Sequence, residues 1–154
     1  MVAVLAIAAV LVALGPPAFL GLGSDERPSP RAGDPVPPVR TRPAARIAVA
    51  GDTGTGDAAQ RTTVLQMVRQ GRSEPFDGLV LLGDLIYEDG DADLTRSRVV
   101  EPFAPVVDAG AELVPAMGNH DYESGEQRQI LEVLGRQRSW YAEWVGPVRL
   151  LVLD

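Results

Sequence analysis

The sequence contains no cysteine and a single histidine, His120, among its 154 residues. The lack of cysteine excludes disulfide bonds, thiolate metal sites and cysteine nucleophiles, and it leaves the redox compartment open. The single histidine excludes any site built from two or more histidines of this chain. A metal ion bound here would therefore depend on oxygen ligands from Asp, Asn or Tyr side chains, with at most one imidazole.

An excess of basic charge is also missing. The chain has 14 Lys and Arg against 21 Asp and Glu, a net charge of −7, with a pI near 4.7. This balance lacks the basic footprint of nucleic-acid-binding proteins, so we expect no nucleic-acid partner. Apolar residues make up 45% and charged residues 23%, which is typical of a globular protein, and the length fits one domain.

The N-terminal segment is uncharged from residue 2 to residue 23 and consists mainly of Ala, Val and Leu. Such a stretch is long enough to cross a bilayer as a helix. Gly-Pro-Pro at residues 15–17 interrupts it, and the run before that point suits the apolar region of a signal peptide, although no Lys or Arg precedes Arg27. We expect residues 1–23 to be a signal peptide or membrane anchor and the protein to be exported, either secreted or tethered. A buried core helix is the alternative.

Residues 24–45 have the composition of a linker. Prolines recur among Arg, Asp, Ser and Gly, at positions Pro28, Pro30, Pro35, Pro37, Pro38 and Pro43. With almost no large apolar side chains, this segment cannot bury enough surface to fold and favours extended conformations. We therefore place the start of the folded domain near Arg46.

From residue 46 onward the apolar pattern alternates between strand and helix. Strands are predicted at residues 46–51, 79–82 and 112–117, and helices at residues 58–70, 93–109 and 125–134. Pro102 and Pro105 predict a break or a fresh start within the second helix. Alternation of this kind indicates an α/β fold with a parallel sheet. Residues 140–145 and 148–153 read instead as a hairpin.

Each predicted strand of the alternating part runs into a glycine and then a polar side chain. The three segments are Gly-Asp-Thr-Gly at residues 51–54, Gly-Asp-Leu-Ile-Tyr at 83–87 and Gly-Asn-His-Asp at 118–121. The carboxyl ends of parallel strands meet at one edge of a sheet, where open α/β sheets bind ligands. One Gly-Asp pair is ordinary turn chemistry. Two carboxylates converging on one point, however, repel each other unless a cation or a shared proton intervenes, so the combination indicates a metal site.

These three segments resemble, in order, the first three sequence blocks of the calcineurin-like metallophosphoesterases. Gly54 together with Tyr87 resembles the purple acid phosphatase branch. The resemblance covers residues 46–154 and implies a β-sandwich flanked by helices. It also implies a dinuclear metal centre in which Asp52 and Tyr87 bind Fe(III), and in which Asp84 bridges to a divalent Fe, Zn or Mn.

The resemblance further implies that Asn119 binds the second metal ion and that His120 contacts the phosphate and assists the leaving group. The implied reaction is acid phosphatase-like hydrolysis of a phosphate monoester by metal-bound hydroxide, acting on a small phosphorylated substrate. A trivalent ion would favour an acidic optimum, because it lowers the pKa of bound water more strongly.

The match is incomplete, because the family's later blocks Val-x-x-His and Gly-His-x-His have no counterpart here. We therefore expect residues 46–154 to be the N-terminal part of such a domain, truncated at its C-terminus, with little or no activity alone. A non-catalytic metal- or phosphate-binding fragment is the alternative. Nucleotide binding is not expected, because residues 51–56 read G-x-x-G-x-G without a following Lys-Ser/Thr pair.

Overall fold

The computed structural model describes residues 11–14 and 45–154. The linker predicted at residues 24–45 lies outside the described residues except for its last position, as does most of the segment predicted to be a leader or anchor. Across the described part, no helix combines the length and the apolar content needed to span a bilayer. The strands and α-helices of that part are β1 (Leu11–Leu14), β2 (Ile47–Ala50), α1 (Ala58–Gly71), β3 (Gly78–Leu82), α2 (Glu101–Val107), β4 (Glu112–Ala116), α3 (Gln127–Val133), β5 (Tyr141–Val145) and β6 (Val148–Val152).

A parallel sheet of order β2-β3-β4 forms the centre of the domain, as the alternating pattern predicted. The strand β3 is buried along almost its whole length, as expected for an apolar strand with a neighbour on each side. Helix α1 begins after Asp57, whose side chain accepts the backbone N–H groups of Ala59 and Gln60. That cap satisfies donors that the first helical turn leaves free.

The segment predicted as one helix at residues 93–109 is divided into three pieces. A 3₁₀ turn at Ala92–Leu94 leads into one π-helical turn at Arg96–Val100 and then into α2. The regular helix begins where Pro102 occupies its first turn, because proline has no N–H to donate but fits this position. Pro102 therefore marks a fresh start, which is one of the two outcomes expected, whereas Pro105 lies inside α2 without ending it. Helix α3 is shorter than predicted and begins at Gln127 rather than Gly125.

The predicted hairpin is present as β5 and β6, which pair antiparallel. On the other side of β6 lies β1, also antiparallel, with Leu11 opposite Leu151. This strand falls within the segment predicted as a signal peptide or anchor. The second sheet of the described residues therefore has the order β1-β6-β5.

Two clusters of buried side chains hold these layers together. The larger lies between the parallel sheet and the helices and includes Leu79, Leu81 and Phe103. The smaller joins the parallel sheet to the antiparallel one through residues such as Val80 and Val145. Alternation along β3 sends Leu79 and Leu81 to one face and Val80 to the other. Both faces of β3 are covered, and the carboxyl ends of β2, β3 and β4 lie together at one edge of the parallel sheet.

Candidate metal centre

The two predicted carboxylate ligands follow directly on strand-end turns. Asp52 and Asp84 both have left-handed backbone conformations, with φ of 54° and 49°. Asp is one of the few residues apart from glycine that adopts this conformation readily, because its short side chain can bond locally. The N–H of Asp52 donates to the carbonyl of Gly83 at 3.2 Å. The turns after β2 and β3 are therefore bonded to each other, which brings their carboxylates to one place.

The phenol of Tyr87 lies between the two carboxylates. Its oxygen is 2.7 Å from Oδ2 of Asp84 and 3.0 Å from Oδ1 of Asp52. Burial raises the pKa of Tyr87 well above its usual range, and the hydrogen bonds to Asp84 and Asp52 raise it further. In this arrangement the phenol proton is shared by two like charges that would otherwise repel. A cation in its place would meet three oxygen atoms at once.

Gly54 fixes the spacing of these loops. Its N–H donates to the carbonyl of Asp84 at 3.0 Å, and its carbonyl accepts the N–H of Tyr87 at 3.1 Å. A Cβ at position 54 would lie 2.3 Å from the carbonyl carbon and oxygen of Leu85, which is closer than any real contact. Glycine is thus required there, because the two backbones approach too closely for a side chain.

The segment at residues 118–121, which follows β4, contacts the Asp84 carboxylate. His120 donates its backbone N–H to Oδ1 of Asp84 at 3.2 Å. At Gly118, a Cβ would lie 2.3 Å from that same Oδ1 atom. Asn119 lies between these two residues, with its side chain exposed. The structure therefore brings all five predicted site residues to the edge formed by the ends of β2, β3 and β4.

The His120 ring is held by its Nδ1 atom, 2.5 Å from the backbone carbonyl of Glu88. A carbonyl can only accept, so Nδ1 carries the hydrogen and Nε2 is left for other partners. The ring packs on Tyr87 with centroids 4.6 Å apart. The hydrogen bond to Glu88 raises the pKa of His120, with support from the carboxylates of Asp84 and Glu123, while burial opposes the rise. The raised pKa therefore favours the protonated, doubly N–H-bearing form of the His120 ring.

Asp121 joins two loops of the site, a role that sequence reasoning did not assign. Its side chain is fully buried, at 0% exposure. Oδ2 accepts the N–H groups of Gly118 at 2.8 Å and Leu85 at 3.1 Å, and Oδ1 accepts that of Ile86 at 2.9 Å. Burial raises the pKa of Asp121 although these three N–H groups lower it. The residue ties the loop of Asp84 to that of His120, and no spacing in the sequence signals such a long-range contact.

The donor set suits a hard cation. Within residues 45–154, no three Asp, Glu or His side chains cluster in a way that would hold a metal ion on their own. The donors that do converge are two carboxylates and a phenol, those of Asp52, Asp84 and Tyr87. Oxygen donors of this kind are preferred by hard cations. Asp52, Asp84 and Tyr87 therefore fit a metal ion as three of its ligands.

Oxygen donors gathered at the carboxyl edge of a parallel sheet, with helices on one face, are typical of ligand-binding domains of the α/β class. The family model described as calcineurin-like phosphoesterase matches residues 45–152, and the chain belongs to that family. Membership confirms the predicted superfamily and implies a metal-dependent phosphoric ester hydrolase, whose relatives usually bind two metal ions. No curated protein matches the chain.

Proposed function

We propose that this domain hydrolyses phosphate monoesters at a dinuclear centre of the purple acid phosphatase type. The observation that carries the proposal is the contact of one phenol, Tyr87, with two carboxylates at the strand ends. Asp52 and Tyr87 would hold Fe(III), and a phenolate oxygen suits a trivalent ion. When bound, the two metal ions would polarise the phosphate and make a hydroxide nucleophile available near neutral pH.

Asp84 is the best candidate for the bridging ligand, because its two oxygens face different loops. Oδ2 lies beside Tyr87, whereas Oδ1 accepts the N–H of His120. A carboxylate placed in this way can serve a cation on either side. Asn119 follows the glycine that packs on Asp84, and we assign it to the second metal ion, a divalent Fe, Zn or Mn.

His120 is assigned to the substrate rather than to a metal ion. Its Nδ1–H is occupied by the Glu88 carbonyl, so Nε2 is the atom that can reach a phosphate oxygen. Because the raised pKa keeps the ring protonated further towards neutral pH, Nε2–H can donate to the leaving oxygen. The small phosphorylated substrate would thus meet the metal ions on one side and an acid on the other.

The ligands present here supply only part of a dinuclear centre. His120 is the only histidine, so nitrogen ligands of the kind used by this family would have to come from polypeptide beyond these 154 residues. We propose that residues 46–154 form the N-terminal part of an αββα sandwich. We also propose that residues 1–23 direct export or anchor the protein. Recovery of the tagged full chain in the cytosol on cell fractionation would contradict the last point.

The function is tested by following p-nitrophenyl phosphate hydrolysis by the purified chain with Fe(III) and Zn(II). We expect slow, metal-dependent turnover that Asp84→Asn reduces to the rate of the metal ions alone. Glu101→Gln is the matched control, since it removes an exposed carboxylate from α2, outside the metal centre. Turnover that survives Asp84→Asn, or a chain that binds neither metal, would contradict the proposal.

A non-catalytic metal- or phosphate-binding role is the second candidate, and the single histidine favours it. The same experiment distinguishes this binding role from catalysis. Stoichiometric metal binding that depends on Asp52 and Asp84, with no turnover above that of free metal ions at any pH from 4 to 8, would support a binding module instead of an enzyme.

A further inference from the structure

Arg98 projects from the π-helical turn onto the loop that follows Asp52. Its guanidinium donates from Nη1 to the carbonyl of Thr55. Gly56 lies directly against it, since a Cβ at position 56 would be 1.3 Å from Nη1. The backbone of Arg98 is held in turn by α1, where the buried Gln60 donates from Nε2 to the Arg98 carbonyl at 2.5 Å. Arg98 is therefore held both at its backbone carbonyl and at its guanidinium.

Arg98 forms no ion pair with any residue that the structure describes. Among the described residues, the five ion pairs within 4.0 Å involve other cations, and Nε of Arg98 is buried without a hydrogen-bond partner. Burying a donor such as Nε without a hydrogen-bond partner costs free energy. A π-helical turn is also rare and recurs at functional sites. Both features indicate that the position of Arg98 serves something other than stability.

The loop of residues 52–56 is bonded on its opposite side to the turn of Asp84. Asp52 donates its N–H to the Gly83 carbonyl, and Gly54 donates to the Asp84 carbonyl. The loop is therefore enclosed between the Asp84 turn and the Arg98 guanidinium. If the Arg98 side were released, the loop could move away from Asp84 and carry Asp52 out of contact with Tyr87.

We propose that Arg98 is a positioning residue for the metal centre, which holds residues 54–56 in place and so keeps the Asp52 carboxylate on the Tyr87 phenol. The inference rests on the proposed function only in that Asp52 is taken as a metal ligand. Arg98 itself touches neither metal nor substrate. Its effect is transmitted through the Thr55 carbonyl and the Gly56 backbone.

The test compares metal affinity with stability in Arg98→Met, which keeps the length of the side chain and removes its donors. We expect the affinity for Fe(III), followed by the visible phenolate band, to fall about 10-fold or more, as for other residues that orient ligands. Arg98→Lys should recover part of the affinity, because an ammonium can still donate to Thr55. Arg96→Met is the matched control, as Arg96 is exposed in the same turn.

A second variant approaches the contact from the loop. Gly56→Ala places a methyl group where Nη1 lies, at a φ of 67° that disfavours any side chain. It should weaken metal binding as Arg98→Met does, and the double variant should lose little more than either single one. Leu150→Ala supplies a purely structural comparison, because Leu150 belongs to the cluster between the sheets. It should lower the melting temperature and leave the metal affinity unchanged.

Amide hydrogen exchange on the metal-free chain tests the positioning of the loop by Arg98 independently of metal binding. In Arg98→Met, the Asp52 and Gly54 amides should exchange faster, while those of β4 and α3 should not change. Unaltered exchange at these two amides, or an affinity loss matched by Leu150→Ala, would overturn the role of Arg98. If the wild-type chain binds no metal while these amides respond as expected, the proposed function fails and the positioning of the loop by Arg98 stands.

Discussion

At the scale of single residues, the phenol of Tyr87 connects the two carboxylates of the candidate metal centre. One proton lies among three oxygens that a cation would also bind, since Tyr87 contacts both Asp52 and Asp84. Ligation by this oxygen requires loss of the phenol proton, so proton release should accompany metal binding. If Fe(III) binds as proposed, Tyr87 would report on its binding through a visible charge-transfer band.

Tyr87→Phe should abolish the visible charge-transfer band of the Fe(III)-loaded chain, because Tyr87 is the phenol that contacts both carboxylates. Tyr141→Phe is the matched control, as its hydroxyl donates to the Pro115 carbonyl at 2.6 Å in a different part of the molecule. The absorption spectrum of each variant during Fe(III) titration checks this. A band that persists in Tyr87→Phe would remove Tyr87 from the ligand set.

Glu143 supplies a pH-dependent contribution that is separate from the metal centre. Arg136 donates to its carboxylate at 2.7 Å, and this hydrogen bond lowers the pKa of Glu143 in the folded chain. A lowered folded-state pKa gives stability that is present above the unfolded-state pKa and is lost as the pH falls through the folded value. Glu143 is partly exposed, so the effect is screened and small.

Urea unfolding of Glu143→Gln and of the wild type between pH 3 and 7 measures this contribution. The wild type should be the more stable protein near pH 7, and the difference should shrink as the pH falls below the ordinary carboxyl range. Glu101→Gln, an exposed carboxylate with no ion pair among the described residues, should show no such convergence. A difference that grows towards low pH would contradict the sign expected from the lowered pKa of Glu143.

At the scale of secondary-structure elements, the strand-end turns carry the site, and their glycines set how closely they approach. Gly54→Ala should disrupt the centre, because its Cβ would lie 2.3 Å from the Leu85 backbone, which cannot rotate away as a side chain could. We expect a loss of about 1–3 kcal/mol in unfolding free energy from the forced shift, together with loss of Fe(III) binding.

Gly71→Ala is the control for that substitution. It lies at the end of α1, where a Cβ would be 3.5 Å from the Phe76 ring, an ordinary contact. Alanine is also the better helix former, so this variant should be neutral or slightly more stable. Chemical unfolding and Fe(III) titration of both variants measure the changes in stability and in metal affinity. An unaltered metal affinity in Gly54→Ala would show that the two turns do not need their close approach.

The elements themselves were largely readable from the sequence, because local rules determine them. The helix predicted at residues 58–70 matches α1, which Asp57 caps, and Gly-Asp at positions 51–52 and 83–84 lies where the strands predicted at residues 46–51 and 79–82 end. The π-helical turn at Arg96–Val100 could not be predicted, since it depends on what packs against it. The roles of Asp121 and Arg98 could not be predicted for the same reason, because each side chain contacts backbone groups more than 30 positions away.

At the scale of the whole molecule, the candidate metal centre joins three loops that are far apart in the sequence. The Asp52, Asp84 and His120 loops leave three strands of the parallel sheet. Gly54 donates to the backbone carbonyl of Asp84, and His120 donates its N–H to the Asp84 side chain. Because the loops meet around Asp84, a bound cation would link parts of the chain that are remote in sequence. Metal binding should consequently act on the stability of the whole domain and not on one loop alone.

Metal ions should therefore raise the free energy of unfolding, by about 2.7 kcal/mol when their free concentration is 100 times the dissociation constant. Asp84→Asn should remove this gain, and the substitution isolates the charge because Asn also tolerates the left-handed conformation found at Asp84. The net charge of −7 would attract cations to any surface, so Glu101→Gln, which removes one exposed charge elsewhere, is the matched control and should retain the full gain. Thermal unfolding with and without Fe(III) and Zn(II) measures all three proteins. Equal gains in Asp84→Asn and the wild type would mean that the ions act on the surface charge and not at the strand ends.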